Sequence, residues 1–222
     1  MRKVLVLAVL VLGAAYSFAG PTNFTFLSYG SGGWQQGYPY YITGGPASSI
    51  IAVMCDDYIH GGGAGQSWEA NITDLGSGNL MLTRFNKFVS GPNALAPLLQ
   101  YDEAGWILLQ TQTTPSNEWQ AMNYAVWHLF DPNSPLIGDA QAWLDAAAQE
   151  GRLGFPGTDF NKVYIVTPIN QYDPDPNSIQ EFLYIGPDPS GSGIAGASTP
   201  EPGTLLLLGT GILAVFKRKA LN

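Results

Sequence analysis

The sequence has 222 residues but only one cysteine, Cys55, and only two histidines, His60 and His128. One cysteine cannot form a disulfide within the chain, so the fold must be stabilised by its apolar core. A tetrahedral zinc site is also disfavoured, because one cysteine and two distant histidines do not supply four ligands at a usual spacing. We expect neither a metal nor a cofactor.

Basic residues are scarce between the two ends of the chain. Five of the nine Lys and Arg residues lie near the termini, and the remaining four share the interior with sixteen acidic residues. Such a surface stays soluble and repels nucleic acid and anionic lipid. We therefore expect no nucleic-acid partner, and we interpret the acidic balance as solvation rather than as a ligand site.

The apolar run at the carboxyl-terminal end, residues 204–216, is short for a membrane span. As a helix it covers roughly 20 Å, whereas the hydrocarbon core of a bilayer is roughly 30 Å thick. Lys217, Arg218 and Lys219 follow the run and favour the cytoplasmic side. The sequence therefore predicts a weak transmembrane helix over 204–216 that ends in a basic stop.

A Pro-Glu-Pro tripeptide, Pro200-Glu201-Pro202, stands directly before this run. The two prolines fix φ and remove backbone donors, so the tripeptide cannot join a helix or a central strand and stays open to a processing enzyme. At the other end, Arg2 and Lys3 precede an apolar run that is followed by small residues up to Ala19. This pattern predicts a secretory signal peptide over residues 1–19.

Together the two ends resemble those of PEP-CTERM proteins of Gram-negative bacteria, in which a Pro-Glu-Pro motif, an apolar helix and a basic stop occur in this order. The resemblance implies export by the secretion machinery, transient anchoring in the inner membrane, and processing by an exosortase. The product would then lie at the cell surface or in the extracellular matrix, where a polysaccharide or another matrix component is a candidate partner. The predicted organisation is signal peptide 1–19, globular domain 20–186, Gly/Ser/Pro-rich linker 187–199 and sorting signal 200–222.

The middle of the chain predicts one α+β domain of antiparallel strands with a central group of helices. Alternating, aromatic and β-branched segments predict strands at residues 22–29, 38–43, 49–58, 68–75, 162–167 and 181–185. Apolar residues at helical spacing predict helices at residues 101–110, 118–130 and 137–149, with Ser116 or Asn117 as cap of the second. We expect the last two strands to return beside the early ones.

Two segments of this domain point to chemistry, residues 54–58 around Cys55 and residues 118–127. They resemble the thioester domains of Gram-positive surface adhesins, in which a cysteine at the end of a strand bonds to a helical glutamine. The resemblance implies an internal electrophile that captures an amine. Alignment of residues 124–127 places Asn123 at the reacting position, and Gln120 lies one turn earlier on the same face. A covalent adhesin that uses Cys55 with Gln120 or Asn123 is therefore the alternative function.

The domain as a whole is similar to uncharacterised domains that occur between these sorting signals. The shared elements occur in order at residues 55–57, 65–68, 101–106, 125–132 and 180–182. This similarity implies no activity, and we predict a non-enzymatic domain. Three other interpretations remain open: Cys55 as an ordinary buried core residue, a hydrolase of Cys55, His128 and Asp56 or Asp57, and a glycan-binding face with tryptophans exposed in one row.

Overall fold

The computed structural model describes residues 21–30, 37–44, 49–88, 96–170 and 178–187. Within them, six strands pair antiparallel and close into a barrel in the order β1, β2, β3, β6, β5, β4. The strands are β1 (Thr22–Tyr29), β2 (Tyr40–Gly44), β3 (Ser49–Cys55), β4 (Ser67–Asp74), β5 (Val163–Pro168) and β6 (Phe182–Ile185). The two late strands lie between β3 and β4, which confirms that they return beside the early ones.

Large aromatic side chains fill the barrel. Phe24 and Phe26 alternate with more exposed residues along β1, as expected for a strand with one buried face. At the centre lies Phe182 of β6, whose ring is 6.1 Å from those of Phe26 and Trp68 and 6.2 Å from that of Tyr40. Aromatic side chains bury the most apolar area per residue, so this cluster stabilises a fold that has no disulfide within the chain.

Three helices form a second layer outside the barrel: α1 (Ala96–Gln110), α2 (Trp119–Phe130) and α3 (Ala140–Leu153). They pack against one another, and α1 also contacts β6 while α2 contacts β3. Strand β5 is buried along its whole length, as are the first three residues of β6. The described residues therefore form a mixed α+β fold, which confirms the predicted class, whereas closure of the sheet into a barrel was not predicted.

Several element ends differ from the prediction. Strand β3 ends at Cys55 rather than at residue 58, because the Asp57 carboxylate accepts the backbone N–H groups of Ile59 and His60 and turns the chain. Helix α1 begins at Ala96 and not at residue 101. Helix α3 begins three residues after its predicted start and ends four residues after its predicted end. A 3₁₀ turn, Ser116–Glu118, leads into α2, and neither Ser116 nor Asn117 caps the helix with its side chain.

The signal peptide 1–19 and the sorting signal 200–222, including the predicted transmembrane helix 204–216, lie outside the described residues, as does the linker after Pro187. Among the helices that the structure describes, none is both long enough and apolar enough to span a bilayer. The predicted domain boundaries stay predictions.

Candidate functional site

The carboxyl end of β3 carries Cys55, whose side chain is fully buried. Cys55 pairs with Phe182 across β3 and β6, so both side chains lie on the same face of the sheet, toward the barrel interior. The thiol donates a hydrogen bond to the carbonyl of Asp57 at 3.1 Å and accepts one from the Asp57 N–H at 3.3 Å. The residue that the sequence singled out is therefore a free thiol held in a tight turn.

Asn123 of α2 reaches this strand end. Its side-chain Nδ2 donates to the carbonyl oxygen of Cys55 at 3.2 Å, while its Oδ1 is buried and has no hydrogen-bond partner in the described part of the chain. Gly37 packs so closely on Asn123 that an added Cβ would lie 2.6 Å from the Asn123 Cβ. Gln120 lies one turn earlier on the helix and is half-buried. The structure thus brings Asn123 into contact with Cys55.

The environment of Cys55 keeps its proton on sulfur. Burial, followed by the negative charge of Asp56, raises the pKa of the Cys55 thiol well above its usual value. The nearby Trp127 indole and the positive charge of Arg84 oppose this shift, but their effects are smaller. A thiol in this state is a poor nucleophile, and a step that uses its sulfur requires local removal of the proton.

A buried ionic cluster lies beside Cys55. Arg84 forms an ion pair with Asp57 through Nη1, and its Nη2 donates to the carbonyl of Ile179 at 2.7 Å. The backbone N–H of Arg84 donates to Glu181 at 2.8 Å, and Glu181 also accepts hydrogen bonds from the hydroxyls of Tyr101 and Thr167. The interior tolerates Arg84, Asp57 and Glu181 because each of these three groups has several polar partners.

Asp56 is the unusual member of the cluster. Both of its carboxyl oxygens are buried and accept no hydrogen bond within the described residues. Burial first, and then the charge of Glu181, raise the pKa of Asp56 well above its ordinary value. Retention of its proton by Asp56 removes the repulsion between its own charge and that of the nearby Glu181 carboxylate. Asp56 was predicted from the sequence as a candidate site residue, whereas Arg84 and Glu181 were not.

The two histidines lie apart from the thiol. His60 Nδ1 is 2.7 Å from Asp57 Oδ2, and His128 Nδ1 is 3.0 Å from the carbonyl oxygen of Ser134. The hydrolase interpretation requires Cys55 within hydrogen-bond reach of His128, but across the described ranges the hydrogen bonds of Cys55 go to Asp57. These contacts do not form the Cys–His pair of that interpretation.

Two other kinds of site, a metal centre and a glycan-binding face, are absent from the described residues. These residues contain no group of three or more His, Cys, Asp and Glu residues arranged to hold a metal ion. They also contain no exposed tryptophan: Trp127 is buried, and Trp68, Trp106, Trp119 and Trp143 are half-buried. The exposed row of tryptophans expected for a glycan-binding face is therefore absent from this part of the chain.

The end of the chain adds a feature that the barrel does not contain. Residues 198–219 match the family model of the PEP-CTERM protein-sorting motif. The chain carries a PEP-CTERM sorting motif. This PEP-CTERM match includes Pro200, Glu201 and Pro202 as well as Lys217, Arg218 and Lys219.

The chain with this PEP-CTERM motif is also distantly similar in structure to a domain of a bacterial surface protein. This domain is the N-terminal thioester domain of a surface protein from Clostridium perfringens. The match covers 74% of this chain and 97% of the thioester domain, with 14% sequence identity and a TM-score of 0.41. Values this low do not assign the chemistry of that domain to this chain. No curated protein matches the sequence.

Proposed function

We propose that the protein is exported, held briefly in the inner membrane by residues 204–216, and cut near Pro200-Glu201-Pro202 by an exosortase. The observation that carries the proposal is the sorting-motif match at residues 198–219. The barrel and its helices are then the part displayed at the cell surface or in the extracellular matrix, where they act without catalysis. Its acidic surface keeps this domain soluble after release.

Peptide mass mapping of the carboxyl terminus tests the proposal. Protein recovered outside the cell is expected to end near residue 202 and to lack residues 204–216. Changing Pro200, Glu201 and Pro202 together to alanine is expected to leave uncut protein in the membrane fraction. Changing Asp188 and Pro189 to alanine, in the linker before the motif, is the matched control and is expected to leave processing intact. Extracellular protein that retains its whole tail would refute the proposal.

A covalent adhesin is the second candidate, and the contact between Asn123 and Cys55 favours it. In this reaction the thiol sulfur bonds to the amide carbon of Asn123 or Gln120, and the amide nitrogen leaves with the thiol proton as ammonia. The site is buried, which protects such a bond from water. The raised pKa of Cys55 opposes the reaction, because the sulfur must lose its proton to attack.

Intact mass distinguishes the two candidates. A thioester lowers the mass by about 17 Da through loss of ammonia. Methylamine then adds about 31 Da across the bond, frees the thiol and leaves a chain about 14 Da heavier than the unmodified one. Cys55→Ser is expected to abolish the mass loss. Of the variants Asn123→Asp and Gln120→Glu, only the one that changes the residue supplying the amide is expected to abolish it. An unmodified mass in the wild-type chain, with no methylamine adduct, removes the adhesin candidate and leaves the sorting proposal untouched.

A further inference from the structure

One open end of the barrel holds a small cavity that neither the sorting motif nor the thiol explains. Its volume is about 230 Å³. Four aromatic residues line it, namely Tyr29, Tyr40, Tyr58 and Trp127, together with Asp57, His60 and Gln180. The cavity is smaller than the roughly 300–1,000 Å³ usual for drug-sized ligands, so its occupant must be small.

The aromatic residues form two pairs. The rings of Tyr29 and Tyr40 meet edge to face at 5.9 Å, and the rings of Tyr58 and Trp127 lie 5.3 Å apart. The ring of Tyr124 also packs on Trp127, edge to face at 4.7 Å, and supports it. Tyr40 and Trp127 are buried and therefore fixed in place, whereas Tyr58 is 37% exposed and lies at the rim.

The charge behind the cavity is negative. Three buried carboxyl groups, Asp56, Asp57 and Glu181, face one buried cation, Arg84. With Asp56 protonated, two carboxylates still face this one guanidinium. The faces of aromatic rings also carry negative potential. Together these features exclude anions such as phosphate and favour a cation.

The hydrogen-bond acceptors of Asp57 are already occupied. Oδ1 accepts from the N–H groups of Ile59 and His60, both at 3.2 Å, and lies 2.9 Å from the His60 ring. Oδ2 lies 2.7 Å from His60 Nδ1 and also pairs with Arg84. A primary ammonium needs three hydrogen-bond acceptors, and the Asp57 carboxylate has little accepting capacity left. A cation without N–H groups needs no acceptor and therefore loses no hydrogen bond when it leaves water.

We propose that this cavity binds a small quaternary ammonium group, held against the Tyr and Trp rings in front of the Asp57 carboxylate. Binding of this kind needs neither the thioester nor the sorting signal and goes beyond both functions proposed above. Cation–π attraction to several rings supplies the affinity, and the negative cluster supplies the preference for positive charge.

The test uses the full chain in a non-ionic detergent and follows the indole N–H signal of Trp127 by NMR. Tetramethylammonium is the probe, because it has no N–H and cannot react with a thioester. We expect saturable shifts with half-saturation on the order of millimolar. Neutral tert-butanol, of nearly the same shape, is expected to give no saturable shift. Equal shifts with both compounds, or none with tetramethylammonium, would overturn the proposal.

Two variants at the rim localise the site. Tyr58→Phe keeps the ring and is expected to bind tetramethylammonium within about twofold of wild type, whereas Tyr58→Leu is expected to weaken binding about three- to fivefold. Equal binding by both variants would show that the ring does not contribute. If n-butylammonium, a lysine-like primary amine, binds more tightly than tetramethylammonium, the assignment to a quaternary group is wrong.

Discussion

At the scale of single residues, the buried ionic cluster is the least expected feature of the domain. Transferring charged groups into a protein interior costs several kcal/mol for each ion, even after relaxation. Arg84 offsets part of this cost through its ion pair with Asp57 and its bonds to Ile179 and Glu181. Asp56 lacks such bonds, and retention of its proton is the remaining way to bury it.

The raised pKa of Asp56 predicts a pH dependence of stability. Between the ordinary Asp value of about 3.9 and the raised native value, the unfolded chain is ionised at this position while the folded chain keeps its proton. The free energy of unfolding therefore falls as pH rises through this range. Asp56→Asn removes the titration and keeps nearly the same side-chain size. Urea unfolding is expected to show the variant gaining stability relative to wild type from pH 5 to pH 8.

Other titrating groups do not affect the difference in stability between wild type and Asp56→Asn. Burial raises the pKa of Asp102 to about 6, which produces a slope of the same sign, but Asp102 is present in both proteins and cancels. Asp145→Asn, at an exposed position of α3, is the matched control and is expected to change the free energy of unfolding by less than about 0.5 kcal/mol. If Asp56→Asn were equally destabilising at both pH values, Asp56 would not be protonated in the native state.

The sequence predicted the thiol and amide side chains of the site at the end of β3, but not the buried ionic cluster beside them. Cys55 and Asn123 were found because a strand end and a helix carry recognisable patterns, and the fold brings them into contact. Arg84 and Glu181 were missed because their partners lie 14 to 97 residues away, beyond the reach of any local pattern. One signal was present: Arg84 is one of only four basic residues between the two ends of the chain.

At the scale of elements, alternation together with aromatic and β-branched content identified the strands, including the fully buried β5, and the helical repeat identified the helices. The errors lie at ends where side chains or turns intervene. Strand β3 was predicted to continue to residue 58, and the Asp57 side chain ends it earlier. Helix α1 begins five residues before its predicted start, because Ala96, Pro97 and Leu98 were not counted into its repeat.

The contact between α2 and the segment before β2 depends on Gly37. This residue has φ +69°, a conformation that side-chain-bearing residues rarely adopt, and an added Cβ would clash with the Asn123 Cβ at 2.6 Å. Gly37→Ala is expected to lower the free energy of unfolding by about 1–3 kcal/mol. Urea unfolding measures the loss, and tetramethylammonium titration shows whether the nearby cavity is disturbed.

Gly63 provides the control for this change. An added Cβ there meets no atom within 4 Å, so Gly63→Ala is expected to change stability by less than about 0.5 kcal/mol. Equal effects of the two substitutions would mean that Gly37 is not pressed against α2 in solution.

At the scale of the whole molecule, the sequence indicated the fold class but not closure of the sheet. Closure depends on strand β4, which pairs with β1 on one side and with β5 on the other. Strands β1 and β5 are themselves separated by over a hundred residues in the sequence. Hydrophobic alternation specifies which face of a strand is buried, but it does not specify the neighbouring strand. The pairing of β6 with β3 and β5 then completes the barrel.

This topology predicts which parts of the chain the fold requires. A chain that ends after Pro187 retains all six strands and the described core, so it is expected to unfold at the same urea concentration as the full chain in the same detergent. A chain that ends after Asn170 lacks β6, which removes Phe182 and Glu181 and leaves the edges of β3 and β5 unpaired. It is expected to show no cooperative transition. A large loss of stability in the longer chain would mean that the sorting region contributes to the fold and is not a removable anchor.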